Sequence, residues 1–217
     1  MKQFGETVEG YSIPVLNERE IRAAAGILFL ALFMSLMFIV FEQNFIPIKY
    51  SILVFLADFV IRVFISPKFS PSLIIGRIIV SKQNPEYVGA AQKKFAWIIG
   101  VILASIMFFL MVILNSYSFI SGIICLICLI FLFCESVFGI CLGCIFYGWF
   151  YKEKAQYCPG EICDVKVKHE IQKISLIQLV IILGFIIYVV LMEQFFNSDF
   201  SKSPNNLWEI LATLKMK

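Results

Sequence analysis

Charge is what this sequence has least of. Lys and Arg together number 18 and Asp and Glu 15 in 217 residues, so 15% are charged while 60% are hydrophobic. A soluble domain of this size wraps one apolar core in a charged surface, and too few charges are present for that. Histidine is almost missing: His169 stands alone, set among Lys166, Lys168 and Glu170, and reads as a solvated loop residue. No Ser-His-Asp set, phosphate-cradling glycine loop or dinucleotide fingerprint occurs, which removes the common hydrolase, kinase and dehydrogenase chemistries. Nor is there a basic patch with interleaved aromatics, so nucleic acid is not an expected partner. Residues 1–16 lack the basic-then-apolar pattern of a signal peptide, and the first apolar run, after Arg22, is expected to be a retained span.

Long apolar runs are what the chain has instead. About 20 apolar residues cross roughly 30 Å of hydrocarbon. Clear runs occupy 23–41, 95–114 and 174–192, and a fourth, 119–151, is interrupted only by Glu135. Residues 50–65 are apolar apart from Asp58 and Arg62. The expected fold class is therefore all-α: a polytopic bundle of five spans, with four as the alternative. The fourth run would make a helix of roughly 50 Å, so it must project, tilt or bend, with Gly139 and Gly143 as the candidate hinges. The segment 71–85, containing Leu73-Ile74-Ile75-Gly76-Arg77-Ile78-Ile79-Val80, is too short to span and reads as an interfacial helix. The expected organisation is a segment 1–22, a membrane domain 23–192 with a loop 152–173, and a tail 193–217 with a short amphipathic helix near Trp208.

Basic loops predict the orientation. Lys68, Arg77, Lys82, Lys93 and Lys94 lie between the second and third runs, and Lys152, Lys154, Lys166, Lys168 and Lys173 between the fourth and fifth. These loops, and with them the N-terminus, are expected on the cytoplasmic side.

Five of the seven cysteines fall in the fourth run: Cys125, Cys128, Cys134, Cys141 and Cys144. Cys125 and Cys128 lie deep in apolar sequence, where a thiol packs as a small hydrophobe. Cys141 and Cys144 sit at the predicted inner interface, within Gly139-Ile140-Cys141-Leu142-Gly143-Cys144, on one helix face and next to small residues that admit a close approach. Cys134 falls within about 80° of that face at 100° per residue, whereas Glu135 projects about 120° from Cys141. Cys158 and Cys163 follow in Cys158-Pro159-Gly160-Glu161-Ile162-Cys163, whose Pro-Gly pair is a turn signal. Two chemistries suit this set. One is dithiol–disulfide exchange between Cys141/Cys144 and Cys158/Cys163, which needs no cofactor. The other is a four-thiolate site for zinc or an iron–sulfur cluster. The structural alternative is small residues at a helix interface plus two loop thiols. A cytoplasmic location disfavours a permanent disulfide staple.

Ionisable groups inside a membrane are expensive and are normally paired. Asp58 and Arg62, four residues apart, can pair on one helix. Arg62 and Glu135 lie at similar expected depths, which predicts an Asp58–Arg62–Glu135 cluster joining the second and fourth spans.

The residues 15–26 (Val15-Leu16-Asn17-Glu18-Arg19 onward), the segment Asp58-Phe59-Val60-Ile61-Arg62, the loop Ser66-Pro67-Lys68-Phe69-Ser70-Pro71, the motif Glu135-Ser136-Val137-Phe138-Gly139-Ile140-Cys141-Leu142-Gly143-Cys144 and the Cys158-Pro159-Gly160 segment together resemble a bacterial membrane family known as domain of unknown function 4395. The C-x-G-C motif after a Glu and a Phe-Gly pair is the most specific part. The resemblance implies a multi-helix membrane protein of bacterial type and assigns no activity; the expected location is the bacterial inner membrane. The leading expectation is a membrane thiol–disulfide or sulfur-relay protein, with a thioredoxin-like or rhodanese-like protein as a conceivable partner. The rivals are a four-cysteine metal protein and a non-catalytic scaffold.

Overall fold

The computed structural model describes residues 4–11, 13–151 and 175–207. Cys158, Cys163 and His169 lie outside the described residues. So do 208–217, where the amphipathic tail helix was expected; residues 205–206 just before it are extended.

Asn17 ends strand β1 (Val15–Asn17) and caps α1 (Glu18–Glu42). Its side chain accepts from the Arg19 amide and donates to Glu20 Oε1 at 3.0 Å. The inward residues of α1, Glu20, Ile21, Ala24, Ala25, Leu28, Leu32 and Ser35, recur every three or four positions. Gln43, at φ 53°, ends the helix, and Pro47 opens the next, α2 (Ile46–Val60). A π-helical turn, Ile61–Ile65, extends α2 without a break. A single 3-10 turn, Pro67–Phe69, leads to α3 (Pro71–Ile79), which is capped by Ser70.

Strand β2 (Tyr87–Gly89) pairs antiparallel with β1, setting Val15 opposite Gly89 and Asn17 opposite Tyr87. This two-stranded clip delivers the chain into α4 (Ala90–Phe108), which a second π turn, Phe109–Ile113, prolongs. After β3 (Ser116–Tyr117), α5 (Phe119–Phe133) starts at a Ser118–Ser121 capping box. A third π turn, Cys134–Phe138, ends it. Then come α6 (Leu142–Tyr151), α7 (Leu176–Phe200) and β4 (Asn205–Asn206), the last pairing parallel with β3.

The protein is thus an all-α polytopic bundle. Among the described residues four helices are long and apolar enough to cross a membrane: Glu18–Glu42, Ala90–Ile113, Phe119–Phe138 and Leu176–Phe200. Helix α2 with its π turn is about 30 Å long at 1.5 Å per residue, but it carries Lys49, Asp58 and Arg62, and that charge separates it from the other four. Phe41 (79% exposed), Phe119 (79%) and Leu176 (81%) point outward, as expected of side chains facing lipid rather than water.

The core lies between α1, α2, α4 and α5. Helix α3 does more than rest on the bundle. Gly76 lets its backbone lie directly on α1, since a Cβ there would stand 2.6 Å from the Glu20 carbonyl oxygen. Arg77 then pairs with Glu20 at 3.1 Å, both nearly buried. Helix α7 is held chiefly at its ends. Gln178 donates to the Lys68 carbonyl at 3.1 Å, and the buried Phe200 ring stands 4.9 Å from Tyr50.

Asp58 and Arg62 pair at 2.8 Å, both almost without solvent access. Ser70 and Ser72, brought in by α3, complete the site. Ser70 Oγ and the Ser72 amide donate to Asp58 Oδ1 at 2.7 and 2.9 Å, and Ser72 Oγ donates to Oδ2 at 2.7 Å. The guanidinium also lies over the rings of Phe59 and Trp97. Removing Arg62 strands a buried carboxylate, at a cost of about 3–5 kcal/mol. Arg62→Leu is expected to cut the yield of folded protein in detergent far below that of Lys68→Leu, whose lysine is 51% exposed; equal yields on size exclusion would contradict the pairing.

Candidate functional site

The 119–151 run is not one helix. At the end of α5 the chain adopts φ 67° at Gly139, and the Gly139 and Ile140 amides both donate to the Cys134 carbonyl. This is the glycine-terminated end that a residue with a Cβ resists. Arg22 closes the same end from α1 by donating to the Val137 carbonyl at 3.3 Å. The chain turns, and the Cys141 carbonyl accepts from the Cys144 and Ile145 amides at 3.0 and 3.2 Å, starting α6.

Cys141 therefore precedes the first residue of α6, and Cys144 is the third residue within it. Both are buried, at 3% and 2% exposure, and both are free thiols. They lie within hydrogen-bond reach of each other, and that bond together with burial holds the Cys141 thiol well above the ordinary thiol range; the Lys93 charge acts in the opposite direction. Helix α6 packs tightly on α4 here because Gly143 has no side chain: a Cβ would come within 2.5 Å of the Ala96 Cβ.

Lys93 is the hub of this end of the bundle. It opens the buried face of α4, followed inward by Trp97, Ala104, Met107 and Met111. Its ammonium, 1% exposed, pairs with Glu18 Oε2 at 2.8 Å and in close contact with Glu135 Oε1. It also acts electrostatically on both Cys141 and Cys144. A cation paired with two carboxylates thus stands where α1, α4 and α5 meet, and its charge acts on the two thiols at the start of α6.

The expected Asp58–Arg62–Glu135 cluster is only partly what forms. Asp58 and Arg62 pair with each other, but Glu135 bonds to Lys93 and influences Arg62 only at longer range. Glu135 also acts electrostatically on Cys141. The 120° separation drawn on a continuous helix does not apply, because the wheel is broken at Gly139. Lys93 and Glu18 were missed, Lys93 having been counted as a loop charge. The signal was present in its spacing from Trp97, which is one helical turn on the same face. Cys125 and Cys128 are buried between the helices, and Cys134 is half-buried at the start of the last turn of α5.

Among the described residues no three His, Cys, Asp or Glu side chains come together to hold a metal ion. The second half of a four-cysteine site, Cys158 and Cys163, falls outside them.

Residues 16–152 match the family described as Domain of unknown function (DUF4395). No curated protein and no solved structure matches the chain.

Truncating Lys93 leaves two carboxylates facing each other in a buried site, at a cost of about 3–5 kcal/mol. Lys93→Met is expected to lower the thermal midpoint in detergent sharply, and adding Glu135→Gln to recover part of the loss. Lys82→Met, at an exposed position, is the control, and a Lys93→Met midpoint within error of it would contradict the hub.

Proposed function

The chain belongs to the DUF4395 family, a domain of unknown function, and on that premise we propose that this membrane protein performs thiol–disulfide exchange or sulfur relay at Cys141 and Cys144. The observation that carries the reading is the meeting of two buried thiols at the start of a helix beside the Lys93 ammonium. A helix N-terminus and a nearby cation both favour a thiolate. Cys144, in the first turn of α6, is assigned as the attacking sulfur and Cys141 as the resolving one.

In the proposed cycle the Cys144 thiolate attacks a partner disulfide, a mixed disulfide forms and the partner's own S–S bond breaks. Cys141 then attacks the mixed bond, and its proton leaves with the departing partner sulfur. The Cys141–Cys144 disulfide forms, and the partner leaves with both its sulfurs reduced. Lys93 balances the charge at each stage. Cys158 and Cys163 are assigned as the exchanging pair, passing disulfides or sulfur to a soluble thioredoxin-like or rhodanese-like protein. The distribution of Lys and Arg in the short loops supports an inner-membrane location with the N-terminus and the 141–163 region on the cytoplasmic side.

The test is differential thiol alkylation with mass spectrometry on the purified protein, before and after reduction, with metal analysis on the same sample. A reducible bond between Cys141 and Cys144, or between either of them and Cys158 or Cys163, is expected. Stoichiometric zinc or iron with no such bond would replace the reading with a four-thiolate metal site. Four free, slowly alkylated thiols without metal under oxidising conditions would leave a scaffold.

A further inference from the structure

Arg22 is the last charged residue before the apolar stretch 23–41, so its guanidinium stands where α1 enters the hydrocarbon. The neighbouring cations are each paired: Lys93 with Glu18 and Glu135, Arg77 with Glu20, and Arg19 with Glu86. Arg22 is not. Its Nη2 donates to the Val137 carbonyl, it acts on Glu18 through electrostatics alone, and no carboxylate pairs with it among the described residues. A guanidinium at a membrane boundary with most of its donors unspent is a place for an anion.

Arg22 lines an open groove of about 480 Å³, a volume that suits a ligand site. Arg19, Glu86 and Ser136 add polar walls, and Ala23, Gly26 and Val80 apolar ones. The Glu86 carboxylate is taken by Arg19, whose Nε donates to it at 3.0 Å. Two cations and one carboxylate leave the groove with one positive charge. Packing does not demand a glycine at Gly26, since a Cβ there would stand 3.6 Å from the Ser136 Cβ, an ordinary contact; its bareness keeps the groove open. Gly26, Phe29 and Phe33 follow Arg22 at i+4, i+7 and i+11, on one face of α1. The Phe29 ring stands 5.8 Å from Phe33 and 5.5 Å from Phe133, and Phe133 stands 5.5 Å from Phe138. Phe33, Phe133 and Phe138 are exposed, so an aromatic strip runs from the cation towards the hydrocarbon.

We propose that this groove binds an anionic phospholipid, its phosphodiester on Arg22 and one acyl chain over Gly26 and the aromatic strip. The remaining guanidinium N–H groups donate to the phosphate oxygens as charge-assisted hydrogen bonds. A phosphodiester with an uncharged headgroup carries one negative charge and balances the groove. A choline headgroup brings its own cation, which Arg19 and Arg22 repel. The bound lipid does more than coat the surface. Arg22 also holds the Val137 carbonyl, and its guanidinium carbon lies 3.2 Å from where a Gly139 Cβ would stand. Anchoring Arg22 therefore fastens the turn that separates α5 from α6, a structural role independent of the thiol chemistry.

The test uses the delipidated full-length protein in a neutral detergent, titrated separately with phosphatidylglycerol, phosphatidylethanolamine, phosphatidylcholine and inorganic phosphate. Binding is read by native mass spectrometry and by the thermal midpoint. Phosphatidylglycerol is expected to bind saturably and to raise the midpoint, with an affinity about tenfold or more above either zwitterionic lipid. Arg22→Gln is expected to abolish that preference, whereas Lys202→Gln, at an exposed position on the other end of the molecule, keeps it. Equal binding of the three lipids would overturn the charge-matched site, and so would an unchanged preference in folded Arg22→Gln. An equal rise of the midpoint with inorganic phosphate would replace the lipid by a free anion. Should Arg22→Gln not fold, Gly26→Leu fills the groove without removing a charge; phosphatidylglycerol binding undiminished in that variant would contradict the placement. The preference of the unaltered protein is read in either case.

Discussion

A lysine ammonium shut away from water must be paired or fully hydrogen-bonded where it sits, or the helices around it cannot pack. Lys93 is in that position, and its partners come from different parts of the chain: Glu18 from the first turn of α1 and Glu135 from the last turn of α5. Satisfying the charge therefore fixes how α1, α4 and α5 meet. It also fixes where α5 stops, because Arg22, one turn along from Glu18, holds the Val137 carbonyl beside the Gly139 turn. The cysteine pair follows from that stop. Were α5 to continue straight, Cys141 would project away from Glu135; with the chain turned at Gly139, both thiols fall within reach of the Lys93 charge.

Hydropathy made the bundle readable, since runs of about 20 apolar residues have few other uses. The ends were harder. The apolar run starts at Phe95, but the helix begins at Ala90, because the Gln92 and Lys93 side chains are buried by neighbouring helices rather than solvated. A loop count of basic residues cannot detect this, since burial of a lysine depends on carboxylates more than 40 and 70 positions distant in sequence. The Asp58–Arg62 pair was legible because both residues share one helix face. Its completion by Ser70 and Ser72 was not, since α3 must first fold back against α2. The glycine break was visible only as one of two candidate hinges, and the φ of 67° at Gly139 decides between them.

The two ends of the molecule solve one problem differently. At the Lys93 end, cations meet carboxylates. At the other end the buried Lys49 ammonium meets no carboxylate among the described residues: it donates to Asn115 Oδ1 at 2.7 Å and to the Phe200 and Lys202 carbonyls at 3.2 and 2.8 Å. Phe200 closes α7, so Lys49 sits at the negative end of that helix and satisfies a carbonyl left open there. Helix α7 lies beyond the 16–152 family region and is fastened to it through such polar contacts at its ends, with most of its length turned outward. The charged hub and the thiol pair both lie within the family region.

The central claim is that the Lys93 charge governs the chemistry of Cys141 and Cys144. The most direct measurement is the reduction potential of that pair, obtained by redox titration and mass spectrometry in the native protein and in folded Lys93→Gln. A cation near a dithiol favours its reduced form by supporting negative charge on sulfur, and Lys93→Gln withdraws that support. The potential is therefore expected to fall by about 30 mV or more, a tenfold change in the exchange equilibrium. An identical potential in the two proteins would contradict the account.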